Sequence, residues 1–187
     1  MTISFEQPAH AAPIERLLDD SFGPDRLSKT AYRLREGVAP VDGLSLVSLD
    51  AATGALDGTI RFWPILIGSM VPSLLLGPIA IAAGKRGTGI GAALIRMGVS
   101  RAAALGWRSV LLVGDAPYYG RFGFTRDLTR GMLMPGPVDY DRLLGLELAP
   151  GALTGVAGMI GPWAELAAAP GLPWPCAAML ETMPATA

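Results

Sequence analysis

The sequence predicts a single α/β domain whose sheet is mixed, mostly antiparallel, and covered by helices on both faces. The chain has 187 residues, 51% of them hydrophobic and 17% charged, which is enough to bury one large core. Two helical patterns come early, a three-strand meander follows, and one strand–helix–strand crossover leads into the last strands. The expected order is therefore βααβββαβαββ, which differs from the repeated βαβ of a doubly wound fold.

The first elements are a short strand and two helices. A strand is expected at residues 3–5, and apolar residues at helical spacing predict a helix that ends at Phe22, because Gly23 and Pro24 follow it. A second helix is predicted over residues 26–36.

The next three elements form an antiparallel meander. Apolar runs at residues 44–49 and 59–67 flank a polar cluster rich in Gly, Asp and Thr. Such a cluster between two apolar runs is typical of a hairpin. The turn is placed at residues 50–58, and a third strand is expected at residues 74–82.

The crossover consists of a helix at residues 88–105 and a strand at residues 109–113. Gly106 follows the helical pattern and is the expected C-cap. Residues 114–124 are predicted to form a short helical turn or a loop.

The chain ends with two more strands and a tail. Strands are expected at residues 131–134 and 143–148, so that residues 1–150 form the domain. Residues 151–187 are predicted to be a C-terminal extension or tail packed on the same domain, irregular from Gly161 onward.

Composition excludes several classes of function. The net charge of −1 predicts no nucleic-acid or anionic-membrane partner, and prolines interrupt the apolar windows before they could span a membrane. Only Cys176 and His10 could serve as thiol or imidazole ligands, so neither a disulfide nor a metal site is expected.

No secretion signal is recognised at the start, which predicts a cytoplasmic protein. Trp163 and Trp174 in the tail suggest a homodimer.

The most informative segment is a glycine-dense turn between an apolar strand and an amphipathic helix. Gly87, Gly89 and Gly91 remove side chains where the helix start leaves backbone N–H groups free, and the helix dipole adds positive charge there. Lys85 and Arg86 add charge at the rim. The turn therefore predicts a diphosphate site.

Three other interpretations of this turn compete with a diphosphate site. Gly87-x-Gly89-x-x-Ala92, with Asp115 after the next strand, satisfies a loose dinucleotide fingerprint, but repeated βαβ units are missing. A nucleoside-triphosphate loop fails because Ala92 stands where that motif requires Lys. A plain strand-to-helix turn is the third alternative.

These residues resemble motif A of the GNAT-type N-acetyltransferases, which binds the pyrophosphate of acetyl-CoA. Arg86-Gly87-Thr88-Gly89-Ile90-Gly91 fits that motif, and residues 76–81 look like the family's fourth strand. Tyr119, with Gly123 and Phe124, resembles the family's Tyr-x-x-x-Gly-Phe segment. The resemblance covers residues 1–150 and implies a single GNAT-like domain; residues 146–153 are similar to a bacterial subgroup of predicted acetyltransferases.

The resemblance implies acetyl-CoA as cosubstrate and an N-acetyltransferase that moves the acetyl group directly to a primary amine of a small molecule or peptide. An inert acyl-CoA-binding module or sensor stays open as the alternative. By position, Tyr119 is the general acid for the leaving thiolate, whereas Tyr118 is expected to pack. The implied cosubstrate-binding residues are Ile79, Ala80, Ile81, Arg86, Gly87, Thr88, Gly89, Ile90, Gly91 and Ala92.

No general base stands out. Asp25, Glu36 and Asp115 border the expected cleft, but each is interpreted as a solvated carboxylate, and His10 as structural. The sequence does not identify the acceptor. The aromatic residues that could line its site are expected in the core instead: Phe22, Phe62, Trp63 and Trp107.

Overall fold

The structure is a computed structural model that describes residues 1–68 and 71–163. The strands are β1 (Thr2–Phe5), β2 (Leu46–Leu49), β3 (Leu56–Ile67), β4 (Val71–Ile81), β5 (Ser109–Val113), β6 (Met132–Leu133), β7 (Leu143–Glu147) and β8 (Gly158–Pro162). The helices are α1 (Ala11–Phe22), α2 (Thr30–Arg33), α3 (Ile90–Ala104) and α4 (Ala116–Gly120). Short 3-10 turns cover Pro8–His10, Pro24–Ser28, Ala83–Lys85, Asp127–Thr129 and Tyr140–Arg142.

The sheet confirms the predicted fold class. Its strand order is β1-β2-β3-β4-β5-β7, with β4 and β5 parallel and the other neighbours on this path antiparallel. The crossover through α3 makes β4 and β5 parallel, as the strand–helix–strand pattern requires. No helix within the described residues is long and apolar enough to cross a membrane.

The core lies on both faces of the sheet because strand side chains alternate. Leu46 joins the cluster under α3, whereas its neighbour Val47 joins the cluster under α1. Helix α3 lies very close to β3: a Cβ on Gly98 would stand 2.4 Å from Cε2 of Phe62. The glycine therefore sets how near the helix comes to the sheet.

A bulge in β4 opens the sheet. Ile60 pairs with Ile79 and Phe62 pairs with Leu76, so β4 has one residue more than β3 over this stretch. The extra length falls at Gly77, whose carbonyl accepts a hydrogen bond from Nε1 of Trp63 at 2.6 Å. Strand β5 pairs with β4 only at Leu74 and Leu75. Beyond the bulge, no strand within the described residues pairs with the edge of β4 that faces β5.

The predicted second helix over residues 26–36 is wrong. The chain instead forms the 3-10 turn Pro24–Ser28, the one-turn α2 and further turns. Tertiary contacts explain the difference, because the guanidinium of Arg26 turns inward to Glu15, Asp19 and Tyr32. In addition, the Thr30 hydroxyl donates to the Pro137 carbonyl at 2.6 Å.

The C-terminal part contains a strand that the sequence did not predict. Strand β8 pairs with β3 from Ile65 to Ile67, beyond the end of the shorter β2. Its residues include Gly161, where an irregular course was expected. Strand β6 is shorter than predicted and pairs with β8. Strand β3 extends past the end of β2. Its edge there can pair with a glycine- and proline-rich segment in which apolar and polar residues do not alternate.

Candidate active site

The glycine turn presents a row of backbone donors. Gly89 is the N-cap of α3 and adopts φ 89°, a left-handed conformation that favours glycine. The backbone N–H groups without a backbone partner among the described residues are those of Gly87, Gly89, Ile90, Gly91 and Ala92. These donors and the helix dipole form an anion site.

The donors open onto a cleft of about 530 Å³ beside the unpaired edge of β4. Its lining residues are Ser21, Phe22, Ile79, Ala80, Ile81, Lys85, Arg86, Gly87, Gly89, Ile90, Gly91, Ala92, Tyr118 and Arg121. The predicted cosubstrate residues are thus brought together, apart from Thr88, whose hydroxyl donates to the Lys85 carbonyl at 2.6 Å.

Sequence reasoning missed three of these lining residues: Ser21, Phe22 and Arg121. Phe22 was expected in the core, but its side chain is exposed and lines the cleft. The expectation was wrong because α1 ends at Phe22, where the helix passes over the mouth of the cleft rather than over the sheet. Arg121 lies over the Tyr118 ring, with its Cζ 4.5 Å from the centroid.

Positive charge dominates the cleft, since none of its described lining residues is Asp, Glu or His. Lys85 is held by ion pairs to Asp50 at 2.7 Å and Asp57 at 3.6 Å. The hydrogen bond from Lys85 lowers the pKa of Asp50, so the carboxylate that holds Lys85 stays charged. Arg86 bends toward β4, and its Nε donates to the Ile81 carbonyl at 3.3 Å.

The two tyrosines of α4 have different surroundings. The Tyr118 hydroxyl lies 3.0 Å from where a Cβ on Gly91 would stand, so this residue, expected to pack, contacts the glycine turn. Tyr118 lines the cleft, whereas Tyr119, the predicted general acid, is not among the described lining residues. The Tyr119 ring contacts Gly114 at the end of β5 and packs against Phe124. Burial raises the pKa of Tyr119 to about 12. Its hydroxyl therefore stays protonated at neutral pH.

The candidate bases have structural contacts or lie on the surface. Asp115 caps α4, and its Oδ2 accepts the Tyr118 N–H at 3.1 Å. His10 accepts the Gln7 N–H through Nδ1 at 3.0 Å. The side chains of Asp25 and Glu36 are exposed.

The remaining aromatic residues are mostly core, as predicted. Phe62 and Trp107 are buried, and Trp63 is half-buried at the bulge. Trp163 of the predicted tail packs edge to face on Trp107, with ring centroids 6.1 Å apart. Trp174 and Cys176 lie outside the described residues.

Known proteins show the same architecture. No protein-family model matches the chain, but the uncharacterized N-acetyltransferase YhbS of Escherichia coli K12 is 30% identical over 164 residues, or 86% of this chain and 95% of YhbS. The crystal structure of YhbS, a GNAT family N-acetyltransferase from E. coli, in complex with CoA matches this chain with a TM-score of 0.74 and 29% identity, covering 91% of this chain and 93% of that one. The chain belongs to the GNAT family of N-acetyltransferases.

A second GNAT structure supports the assignment. The Brucella melitensis acetyltransferase in complex with acetyl-CoA is 30% identical, with a TM-score of 0.59, and covers 80% of this chain and 88% of that one. As a GNAT protein, the chain is an acyltransferase. The dinucleotide interpretation is superseded, because β4 and β5 are the one parallel pair on the main path of the described sheet. The homodimer and the cytoplasmic location stay predictions.

Proposed function

We propose that this chain transfers the acetyl group of acetyl-CoA directly to a primary amine of a small molecule or peptide. The observation that carries the proposal is the cleft itself. At the glycine turn, five backbone N–H groups without a backbone partner in the described part of the chain open onto the same space as the edge of β4 that β5 leaves uncovered. The CoA and acetyl-CoA complexes of the GNAT relatives support the choice of donor.

The backbone does most of the donor binding. The diphosphate accepts hydrogen bonds from the N–H groups at the start of α3, while Arg86 and Arg121 add charge at the rim. The pantetheine amides pair with the free edge of β4 at Ile79–Ile81, in the way an added strand pairs with a sheet. This arrangement leads the thioester toward the bulge at Gly77.

Acetyl transfer then needs no covalent enzyme intermediate. The amine nitrogen bonds to the acetyl carbon, the carbon–sulfur bond breaks, and the electron pair leaves on sulfur. We assign Tyr119 as the hydrogen-bond donor to that sulfur. Its pKa of about 12 lies above the value of about 8.5 for a thiol. Tyr119 therefore stabilises the thiolate while keeping its own proton.

The acceptor loses two protons to water in this scheme, one before the amine attacks and one from nitrogen as the amide forms. The described lining of the cleft contains no carboxylate and no imidazole that could act as a base within hydrogen-bond reach. The acceptor's own pKa then sets how kcat/KM rises with pH.

A pair of glycine variants tests the donor site. Gly89→Ala places a Cβ among the free N–H groups, so we expect the Kd for acetyl-CoA, measured by calorimetry, to rise about 10-fold. Gly155→Ala is the matched control, because Gly155 adopts φ 71° and its Cβ would also meet nothing within 4 Å. Both variants carry the same backbone strain of about 1 kcal/mol.

Transfer is measured by thiol release and mass spectrometry of the acetylated amine. Equal losses of acetyl-CoA affinity in the two variants would contradict the assignment of the glycine turn. A wild-type protein that binds acetyl-CoA but acetylates no primary amine in a broad panel would contradict the transferase.

A further inference from the structure

Arg35 lies at the bulge of β4 beside Gly77, beyond the end of the cleft that Ile79 lines and away from the glycine turn. Its Nη2 is 3.1 Å from where a Cβ on Gly77 would stand. Gly77 adopts φ 127°, and its missing side chain leaves room for the guanidinium. The Arg35 Cζ lies 4.5 Å from the centroid of the Tyr32 ring and 5.8 Å from that of Trp63. The two aromatic rings hold the guanidinium in place.

This guanidinium has no carboxylate partner among the described residues. Nε and Nη1 of Arg35 are shielded from solvent and make no hydrogen bond within that part of the chain. Burial lowers the pKa of Arg35 to about 10, so the group is still cationic at neutral pH. A shielded charge without a partner is unfavourable, and buried charges are normally paired.

Neighbouring arginines, unlike Arg35, have carboxylate partners among the described residues. Arg26 forms ion pairs with Glu15 and Asp19. Arg61 forms a bidentate pair with Glu6, with hydrogen bonds of 2.8 and 2.6 Å. The local carboxylates are thus already used, and the positive charges of Arg61 and Arg26 act on Arg35 as well. The site around Arg35 attracts an anion.

The donor cannot supply that anion if it binds as proposed. Its phosphates lie at the glycine turn, at the far end of the Ile79–Ile81 edge, while the bulge lies at the thioester end. Between the two ends, β4 runs about 13 Å from Gly77 to Ile81 at about 3.3 Å per residue. Of the two substrates, the acceptor is then the one that can bring an anion to Arg35.

We propose that Arg35 binds a carboxylate of the acceptor, so that the substrate is an amino acid or a peptide that carries its amine near a free carboxylate. The inference rests on the proposed function. Nη2 is the guanidinium nitrogen of Arg35 that is not among the shielded, unbonded atoms, so it is the donor for a charge-assisted hydrogen bond to a carboxylate oxygen. A doubly charged phosphate fits less well, because the other arginines nearby are occupied by Glu6, Glu15 and Asp19.

The test compares free amino acids and dipeptides with their C-terminal carboxamides as acceptors. In the wild type, kcat/KM is expected to favour the carboxylate of at least one matched pair. Arg35→Met should reduce that preference about 30-fold, and Arg35→Lys, which keeps the positive charge, should reduce it less. Arg33→Met is the control, since Arg33 is an exposed arginine of α2. Comparing ratios cancels the difference in amine pKa between an acid and its amide.

A binding measurement separates this inference from the proposed transferase. N-acetyl amino acids and their amides are titrated by calorimetry into the CoA-saturated protein. Tighter binding of the acids that weakens about 30-fold in Arg35→Met supports the subsite, even if no amine is acetylated. The inference is overturned if acid and amide bind equally in the wild type, if Arg35→Met weakens both alike, or if phosphorylated amines are preferred to carboxylates.

Discussion

The proposed donor end and the proposed acceptor end of the site are built in different ways. At the donor end, backbone N–H groups of consecutive residues provide the binding surface, from Gly87 to Ala92. At the acceptor end, side chains from separate segments meet at the bulge: Arg35 after α2, Tyr32 on α2, and Trp63 on β3. A backbone site of this kind suits a cosubstrate that many enzymes share, whereas a side-chain site can select one acceptor.

The largest expected effect concerns the two tyrosines of α4. Tyr119→Phe should lower kcat about 100-fold, because it removes the hydrogen bond to the leaving sulfur. The KM for acetyl-CoA should stay nearly unchanged. Tyr118→Phe serves as the matched control: its hydroxyl faces Gly91, so its loss should affect acetyl-CoA binding more than kcat. Steady-state kinetics with one acceptor checks both variants.

The reverse result would exchange the two roles. A large kcat loss in Tyr118→Phe, with Tyr119→Phe close to wild type, would make the tyrosine at the glycine turn the donor to sulfur. Tyr119 would then be a core residue that supports the end of β5.

A second comparison lies within the acceptor end. Arg26→Met removes hydrogen bonds to Glu15, Asp19 and Tyr32, so we expect the free energy of unfolding to fall by about 2 kcal/mol. Arg35→Met removes a shielded charge without a carboxylate partner and should leave the free energy of unfolding unchanged or raise it. Urea unfolding of the two variants in the absence of ligand measures the difference.

Similar losses in both variants would mean that Arg35 has a structural role like that of Arg26. If Arg35 binds the acceptor's carboxylate, Arg35→Met should instead lower the preference for carboxylate acceptors and leave the free energy of unfolding unchanged or higher.

Sequence could predict the donor end because its signals are local. The turn between the strand and the helix is encoded by a few consecutive residues. In the described part of the structure, the backbone N–H groups of Gly87, Gly89 and Gly91 have no backbone partner. The meander and the crossover were predicted for the same reason, since alternation and helical spacing are properties of neighbouring residues. The boundaries differ by a few residues only, as at the start of β3, which includes Leu56–Gly58 of the predicted turn.

The acceptor end could not be predicted because it depends on distant contacts. Nothing in the sequence distinguishes Arg33 from Arg35, and only packing against Tyr32, Trp63 and Gly77 shields the second of them. Phe22 was placed in the core for a similar reason, because a helical pattern does not show where a helix passes the edge of a sheet. Strand β8 gave no pattern, since its partner β3 provides the pairing.

The smallest expected effect tests how Tyr119 is placed at the donor end. Burial raises the pKa of its phenol from 10 to about 12, so the folded state holds a proton that the unfolded state loses above pH 10. The contribution of Tyr119 to stability is then complete below pH 10 and decreases as the pH rises toward 12. At pH 11 the wild type should have lost about 1 kcal/mol through this group, and Tyr119→Phe should lack that loss. Urea unfolding at pH 8 and pH 11 measures it, with Tyr118→Phe as the control. If both variants keep the wild-type pH dependence, the phenol of Tyr119 is exposed to water in the folded protein. Beside the sulfur it would then have the pKa of an ordinary tyrosine.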